Sequence, residues 1–217
     1  MFMLVPITDE LFVDSRAGRI PYIARGLSKR QLRLEPGQAH FGMIARGSAK
    51  VVDRYGQFEL SEGMYFCTSE GEVEGTSSDV AVLMVSATSS ALRQFGGPVE
   101  ESGRLRYVSG CSDTLLLSPP RRGDPCLNHL HIPSRVLQEQ HYHPSDRVGI
   151  ILRGTGMCHT EGRAYGLHSG LAWRIPAGLD HHFESGGDGL DVLTWHPDSD
   201  FGPTDEDHPM INRTWLR

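Results

Sequence analysis

The chain has 217 residues, which at about 150 residues per domain allows one or two domains. Its 21 basic and 27 acidic residues leave a net charge of −6, which argues against a basic surface for nucleic-acid backbone or anionic lipid. With 25 glycines, 13 prolines and no apolar run near the roughly 18 residues of a membrane helix, the composition points to short strands joined by turns.

Along the chain, Met1 to Phe12 carries Asp9 and Glu10 where a secretory leader would be basic, and Cys67, Cys111, Cys126 and Cys158 are widely spaced. Both features predict a soluble, cytoplasmic protein with reduced thiols. Short β-branched and apolar runs at Gln31–Leu34, Ala49–Asp53 and Val80–Ser86 read as strands. Ser89–Phe95 predicts two helical turns, stopped by Gly96-Gly97-Pro98, which places a domain boundary after residue 98. The expected units are therefore 1–98 and 99–217. Beyond the boundary, Ser118–Pro125 reads as part of an insertion, and Leu127–Ile132, Val148–Leu152 and Asp191–Trp195 read as strands. Pro197–Arg217, rich in Pro and Asp, reads as an irregular tail laid over the surface or a loose terminus.

The two halves repeat each other. Gly42-Met-Ile-Ala-Arg-Gly47 matches Gly149-Ile-Ile-Leu-Arg-Gly154 at an offset of 107, and the same offset pairs Leu60 with Leu167, Gly63 with Gly170, and Gly71 with Gly178. An earlier match, Gly18–Ile23 with Gly103–Val108, lies at an offset of 85, so the second copy has gained about 22 residues between them.

Ten of the eleven histidines lie in the second copy, from His129 onward. His141 and His143, two residues apart on an extended segment, point to one face, where both imidazoles can hold one ion. His181 follows the turn Pro176-Ala-Gly178, so antiparallel pairing can return it beside the first two. Three neutral imidazoles then occupy one side of a divalent transition metal and leave its other positions open. His129 and His131 also share a strand face; if that face is the interior they line the pocket as substrate-binding residues, and otherwise they face solvent.

These residues resemble the cupin superfamily, and the duplication resembles a small bacterial bicupin. His141, His143 and Gly154 match the first cupin motif, and Gly170, Pro176, Gly178 and His181 match the second in register. The resemblance implies an all-β chain of two jelly-roll-like barrels, a degenerate one over 1–98 and a metal-binding one over 99–217. It also implies that His141, His143 and His181 are the metal ligands. The motif's usual fourth ligand, a glutamate, is replaced by Arg147, whose guanidinium stays charged and binds no metal. Asp146 would substitute only through a bulge. Carried to the first copy, the ligand positions become Leu34, Pro36, His40 and Glu74, which leaves that barrel a structural role.

The resulting expectation is one divalent transition metal, Fe(II) or Zn in preference and Mn or Ni otherwise, acting on a small organic substrate. Dioxygenase-like and isomerase- or lyase-like chemistry both fit three histidines. Arg147, on the inward face, is the expected catalytic and substrate-binding residue, pairing with a carboxylate or phosphate. The other reading is a non-catalytic cupin that binds a sugar or acid. Neither nucleic acid nor membrane is an expected partner, and a homodimer is compatible with the sequence.

Overall fold

The computed structural model describes residues 1–29 and 31–197; the expected tail beyond Pro197, with His208, lies outside the described residues. The strands of the first half are β1 (Met3–Pro6), β2 (Leu11–Asp14), β3 (Tyr22–Leu27), β4 (Gln31–Leu34), β5 (Ala39–Arg46) and β6 (Ser48–Asp53). They continue as β7 (Gly56–Ser61), β8 (Tyr65–Thr68), β9 (Gly71–Gly75), β10 (Ala81–Ala87) and β11 (Gln94–Gly96). The second half contains β12 (Leu105–Arg106), β13 (Ser112–Leu117), β14 (Cys126–Ile132), β15 (Arg147–Thr160), β16 (Arg163–His168), β17 (Leu171–Ile175) and β18 (His181–His196).

In the first half, a six-stranded sheet ordered β11-β8-β5-β10-β3-β2 faces a four-stranded sheet ordered β4-β9-β6-β7. The second half builds an eight-stranded sheet ordered β1-β17-β15-β18-β14-β13-β12, with β16 beside β15. The described residues are all-β, arranged in three sheets, as the sequence leads one to expect. Strand β1 crosses the expected boundary at residue 98, because Met3–Pro6 pairs antiparallel with Leu171–Arg174 and completes the sheet of the other half.

Alternation along the strands partitions the core. In β5, Ile44 joins Leu27, Phe66, Val82 and Met84 inside the first half, while Met43 and Ala45 face outward. In β15 the matching residues behave alike: Ile151 joins Trp173, Phe183 and Val192 inside the second half, while Ile150 and Leu152 face outward. The two outward faces meet in one shared cluster, with Phe41, Met43, Leu83 and Val85 packed with Leu127, Ile150, Leu193 and Trp195. Burial of these side chains, each contributing on the order of 2 kcal/mol, holds the halves together.

One local expectation is corrected. Ser89–Phe95 forms no helix; its end is the strand β11, paired with Tyr65–Cys67. Phe95 is stacked on Phe58 and Phe66 at ring distances of 4.4 and 5.8 Å, and Arg93 is tied to Asp53 at 2.7 Å. These long-range contacts override a weak local helical preference. All four cysteines are free and buried. No helix among the described residues is long and apolar enough to cross a membrane.

Candidate metal centre

His141 and His143 lie on the irregular segment before β15, and His181 opens β18. The expected strand through His141 and His143 is reduced to a single bridge, in which the His141 N–H donates to the His181 carbonyl at 3.0 Å and the His181 N–H to the His141 carbonyl at 2.9 Å. The turn before His181 is docked on the same segment, because the Gly178 N–H donates to the His143 carbonyl at 2.8 Å. Gly178 has φ +73°, a left-handed conformation that glycine adopts without strain. Local turn chemistry and this docking together bring the three rings to one place.

The ring centroids of His141, His143 and His181 lie 4.6 to 5.1 Å apart, and one nitrogen from each lies within 4.8 Å of the others. The Nδ1 of His141 hydrogen-bonds the Glu139 carbonyl at 2.7 Å, and that of His181 the Leu179 carbonyl at 2.9 Å. A carbonyl only accepts, so both rings carry their proton on Nδ1 and keep the Nε2 lone pair for an ion. Burial, then the positive Arg147 and the neighbouring histidines, pushes His143 down to about 2. Burial also lowers His181 to about 4, partly offset by the Leu179 carbonyl and reinforced by His141 and Arg147. Three converging imidazoles, with His143 and His181 favoured neutral and the tautomers of His141 and His181 preset, are the donor set a divalent transition metal requires, so the residues fit such an ion.

The triad opens into a cavity of about 310 Å³. Trp173, Ile175 and Phe183 give it apolar walls, while Asp113, Asn128, Arg147, Thr194 and His196 give it polar ones. Arg147 Nη1 donates to Ser145 Oγ at 2.7 Å and to the carbonyls of Ser145 and Asp146 at 3.2 Å each. Asp113 accepts from Asn128 Nδ2 at 2.6 Å, and burial raises its carboxyl above the ordinary range. Asn128 Oδ1 in turn lies 3.1 Å from His196 Nε2.

Two expected pocket residues lie elsewhere. His129 and His131 are on the opposite face of β14, where both hydrogen-bond Asp191 Oδ1, at 2.8 and 2.9 Å. Arg153 Nε holds the other oxygen of that carboxylate at 3.0 Å. The cause is parity: Asn128 and Leu130 take the cavity side of the strand, so their neighbours must point away. The alternation that singled out His129 and His131 identifies Asn128 equally well, and His196, which no sequence pattern singled out, shares its side.

Asp146 does not approach the triad. Its Oδ2 accepts from Tyr22 Oη at 2.5 Å and from Arg174 Nε and Nη2 at 3.0 and 2.8 Å, while Oδ1 accepts from the Ala177 N–H at 2.9 Å. In the first half, His40 is a satisfied core histidine between Ser86 Oγ at 2.8 Å and the Glu35 carbonyl at 2.7 Å, and Glu74 pairs with Lys50 at 2.8 Å. Among the described residues, His141, His143 and His181 are the one group placed to hold a metal. Tyr142 is exposed, His182 stacks on His159 at 4.8 Å, and Cys158 is buried with its thiol pushed up to about 12.

Residues 129–196 match the cupin domain model. In fold the chain is similar to a salicylate 1,2-dioxygenase from Pseudaminobacter salicylatoxidans, with a TM-score of 0.62 and 10% identity over 82% of this chain and 70% of that one. It is also similar to a cupin 2 conserved barrel domain protein from Leptotrichia buccalis, with a TM-score of 0.60 and 15% identity over 91% of this chain and 89% of that one. No curated protein matches the chain by sequence.

Proposed function

We propose, for a chain with the cupin fold whose residues 129–196 match the cupin domain model, a mononuclear metal-dependent enzyme acting on a small anionic organic molecule. The observation that carries this reading is the convergence of three histidines, two with preset tautomers, on the wall of one cavity. We take residues 1–98 and 99–217 as two cupin units, a bicupin with one metal centre in the second. The matched glycines and the alike partition of β5 and β15 support that division.

His141, His143 and His181 would hold one Fe(II), Zn, Mn or Ni ion. When bound, such an ion supplies Lewis-acid polarisation and, if it is Fe(II), redox chemistry with O2. The protein's own residues do the rest. Arg147 stands on the cavity wall where the superfamily motif has a carboxylate, so its guanidinium offers a bidentate seat for a substrate carboxylate or phosphate. Trp173 and Phe183 exclude water and favour an apolar or aromatic body. Asp113, kept protonated more readily by burial, stands to donate a proton from its carboxyl to a substrate oxygen and to take it back. The fold neighbour named as a salicylate dioxygenase makes hydroxy-substituted aromatic acids the first class to try.

The test is metal analysis of protein purified without an affinity tag and reconstituted separately with Fe(II), Zn, Mn and Ni. Oxygen uptake and product analysis with hydroxybenzoates, small organic acids and amino acids follow. One ion per chain, lost in His143→Ala, and turnover of one of these acids are expected. No bound metal after every reconstitution, or two per chain, overturns the metal assignment. Metal and acid binding without turnover would instead make the chain a binding module.

A further inference from the structure

We infer that Asp146 is a positioning residue for the metal centre, and that through it Tyr22 of the first half sets the spacing between His143 and His181. The inference rests on reading the three histidines as a metal site.

His143 and His181 belong to segments far apart in the chain, so something must fix one against the other. Two backbone links do part of this, the His141–His181 bridge and the bond from Gly178 to the His143 carbonyl. The third link is a side chain. Asp146, three residues after His143, reaches across to the turn before His181, where its Oδ1 accepts from the Ala177 N–H at 2.9 Å. Its Oδ2 is held from two sides, by Arg174 of β17 at 2.8 Å and by Tyr22 Oη at 2.5 Å. Arg174 Nε also donates to Tyr22 Oη at 3.2 Å.

Tyr22 is the first residue of β3 and is buried, with its ring 4.9 Å from that of Trp195. It cannot swing away without opening the packing between the halves. Its hydroxyl is thus a fixed point that the first half presents to the second. The carboxylate accepts every bond it makes, three of them charge-assisted or to a short hydroxyl contact, which suits an ionised Asp and no neutral isostere. An amide at 146 must turn its NH2 toward either Arg174 or the Ala177 N–H, and in each case a donor faces a donor.

Outer partners that orient ligands without touching the ion typically change metal affinity about 10–100-fold. The experiment is titration of the full-length apoprotein with Co(II), read by its visible ligand-field absorption, for wild type, Tyr22→Phe, Asp146→Asn and Phe41→Leu. Phe41→Leu removes part of the same packing between the halves, since Phe41 lies 6.0 Å from Trp195, but leaves Asp146 untouched. Asp146→Asn is expected to bind Co(II) about tenfold more weakly with an altered absorption spectrum, and Tyr22→Phe to shift both in the same direction by a smaller amount. Phe41→Leu should lower the unfolding temperature yet retain wild-type affinity and spectrum. If Asp146→Asn does not fold, Tyr22→Phe against Phe41→Leu decides alone. Wild-type affinity and spectrum in Tyr22→Phe, or an equal loss in Phe41→Leu, overturns the positioning role. Failure of the wild type to bind Co(II) defeats the metal reading itself.

Discussion

Trp173 lies directly over Gly149. A Cβ added to Gly149 would stand 2.6 Å from Trp173 Cζ2 and 2.2 Å from the Leu193 carbonyl oxygen. The relationship recurs 107 residues earlier, where a Cβ on Gly42 would stand 2.1 Å from Phe66 Cε1. In both copies the glycine is the seat of an aromatic ring on the paired strand. Gly149→Ala is therefore expected to cost about 2–3 kcal/mol in urea unfolding and to shift Trp173 toward the cavity. Gly42→Ala should cost a similar amount while one metal ion per chain is retained. Full stability in Gly149→Ala would mean that the ring has room to move.

His129 and His131 serve Asp191 rather than the cavity, and mutation separates the two roles. His129 is almost wholly buried, so His129→Ala removes a hydrogen bond to a carboxylate that water reaches poorly. A loss of about 2 kcal/mol in unfolding free energy is expected, with metal content and substrate affinity unchanged. A selective loss of substrate affinity at full stability would restore His129 to the pocket.

Stability of the apoprotein should fall with acidification, beginning near neutral pH. The folded-state values of His143 and His181, about 2 and about 4, lie below the ordinary 6.5, so the unfolded chain binds more protons. Their contribution is complete above pH 6.5 and declines below it, with both histidines acting down to about 4 and His143 alone down to about 2. The slope is at most about 1.4 kcal/mol per pH unit for each group. Below the ordinary carboxylate value of 3.8, Asp146 and Asp191, both lowered, add losses of the same sign. Urea midpoints from pH 8 to pH 5 should fall in the wild type and fall less in His143→Asn. A midpoint independent of pH in the wild type would contradict the buried, neutral state of these rings.

The second half is not expected to stand alone. A fragment of residues 99–217 lacks β1, which leaves the edge formed by Leu171–Arg174 unpaired, and it exposes Leu127, Ile150, Leu193 and Trp195. Open strand edges and contiguous apolar faces both promote aggregation. Light scattering should report aggregates, or loss of metal binding in any soluble fraction. A monodisperse, fully metallated fragment would show that neither β1 nor the shared cluster is required.

Arg147 should divide metal binding from anion binding. Arg147→Lys keeps the charge but loses the planar fork, so calorimetric affinity for a turned-over or bound carboxylate is expected to drop about tenfold while metal content stays at wild type. An unchanged affinity in Arg147→Ala would remove this residue from the substrate site.

The histidine triad was legible in the sequence because its determinants are local: the spacing of His141 and His143, and a Pro-x-Gly turn placed just before His181. The repeat was legible for the same reason, since Gly42 and Gly149 answer identical short-range demands of strand and ring. What the sequence left open is which side of a strand faces what. Alternation divides Cys126–Ile132 into two sets of residues, but both faces of this sheet are buried, one in its own barrel and one against the other half. Only the assembled sheets send Asn128 to the cavity and His129 to Asp191. The same holds for Asp113 and His196, which no local pattern distinguishes, and for Met3–Pro6, which pairs with a strand some 165 residues away. It holds most clearly for Asp146, read one residue from a ligand position and placed by folding against Tyr22. Such contacts depend on the packing of distant segments, and tertiary structure alone decides them.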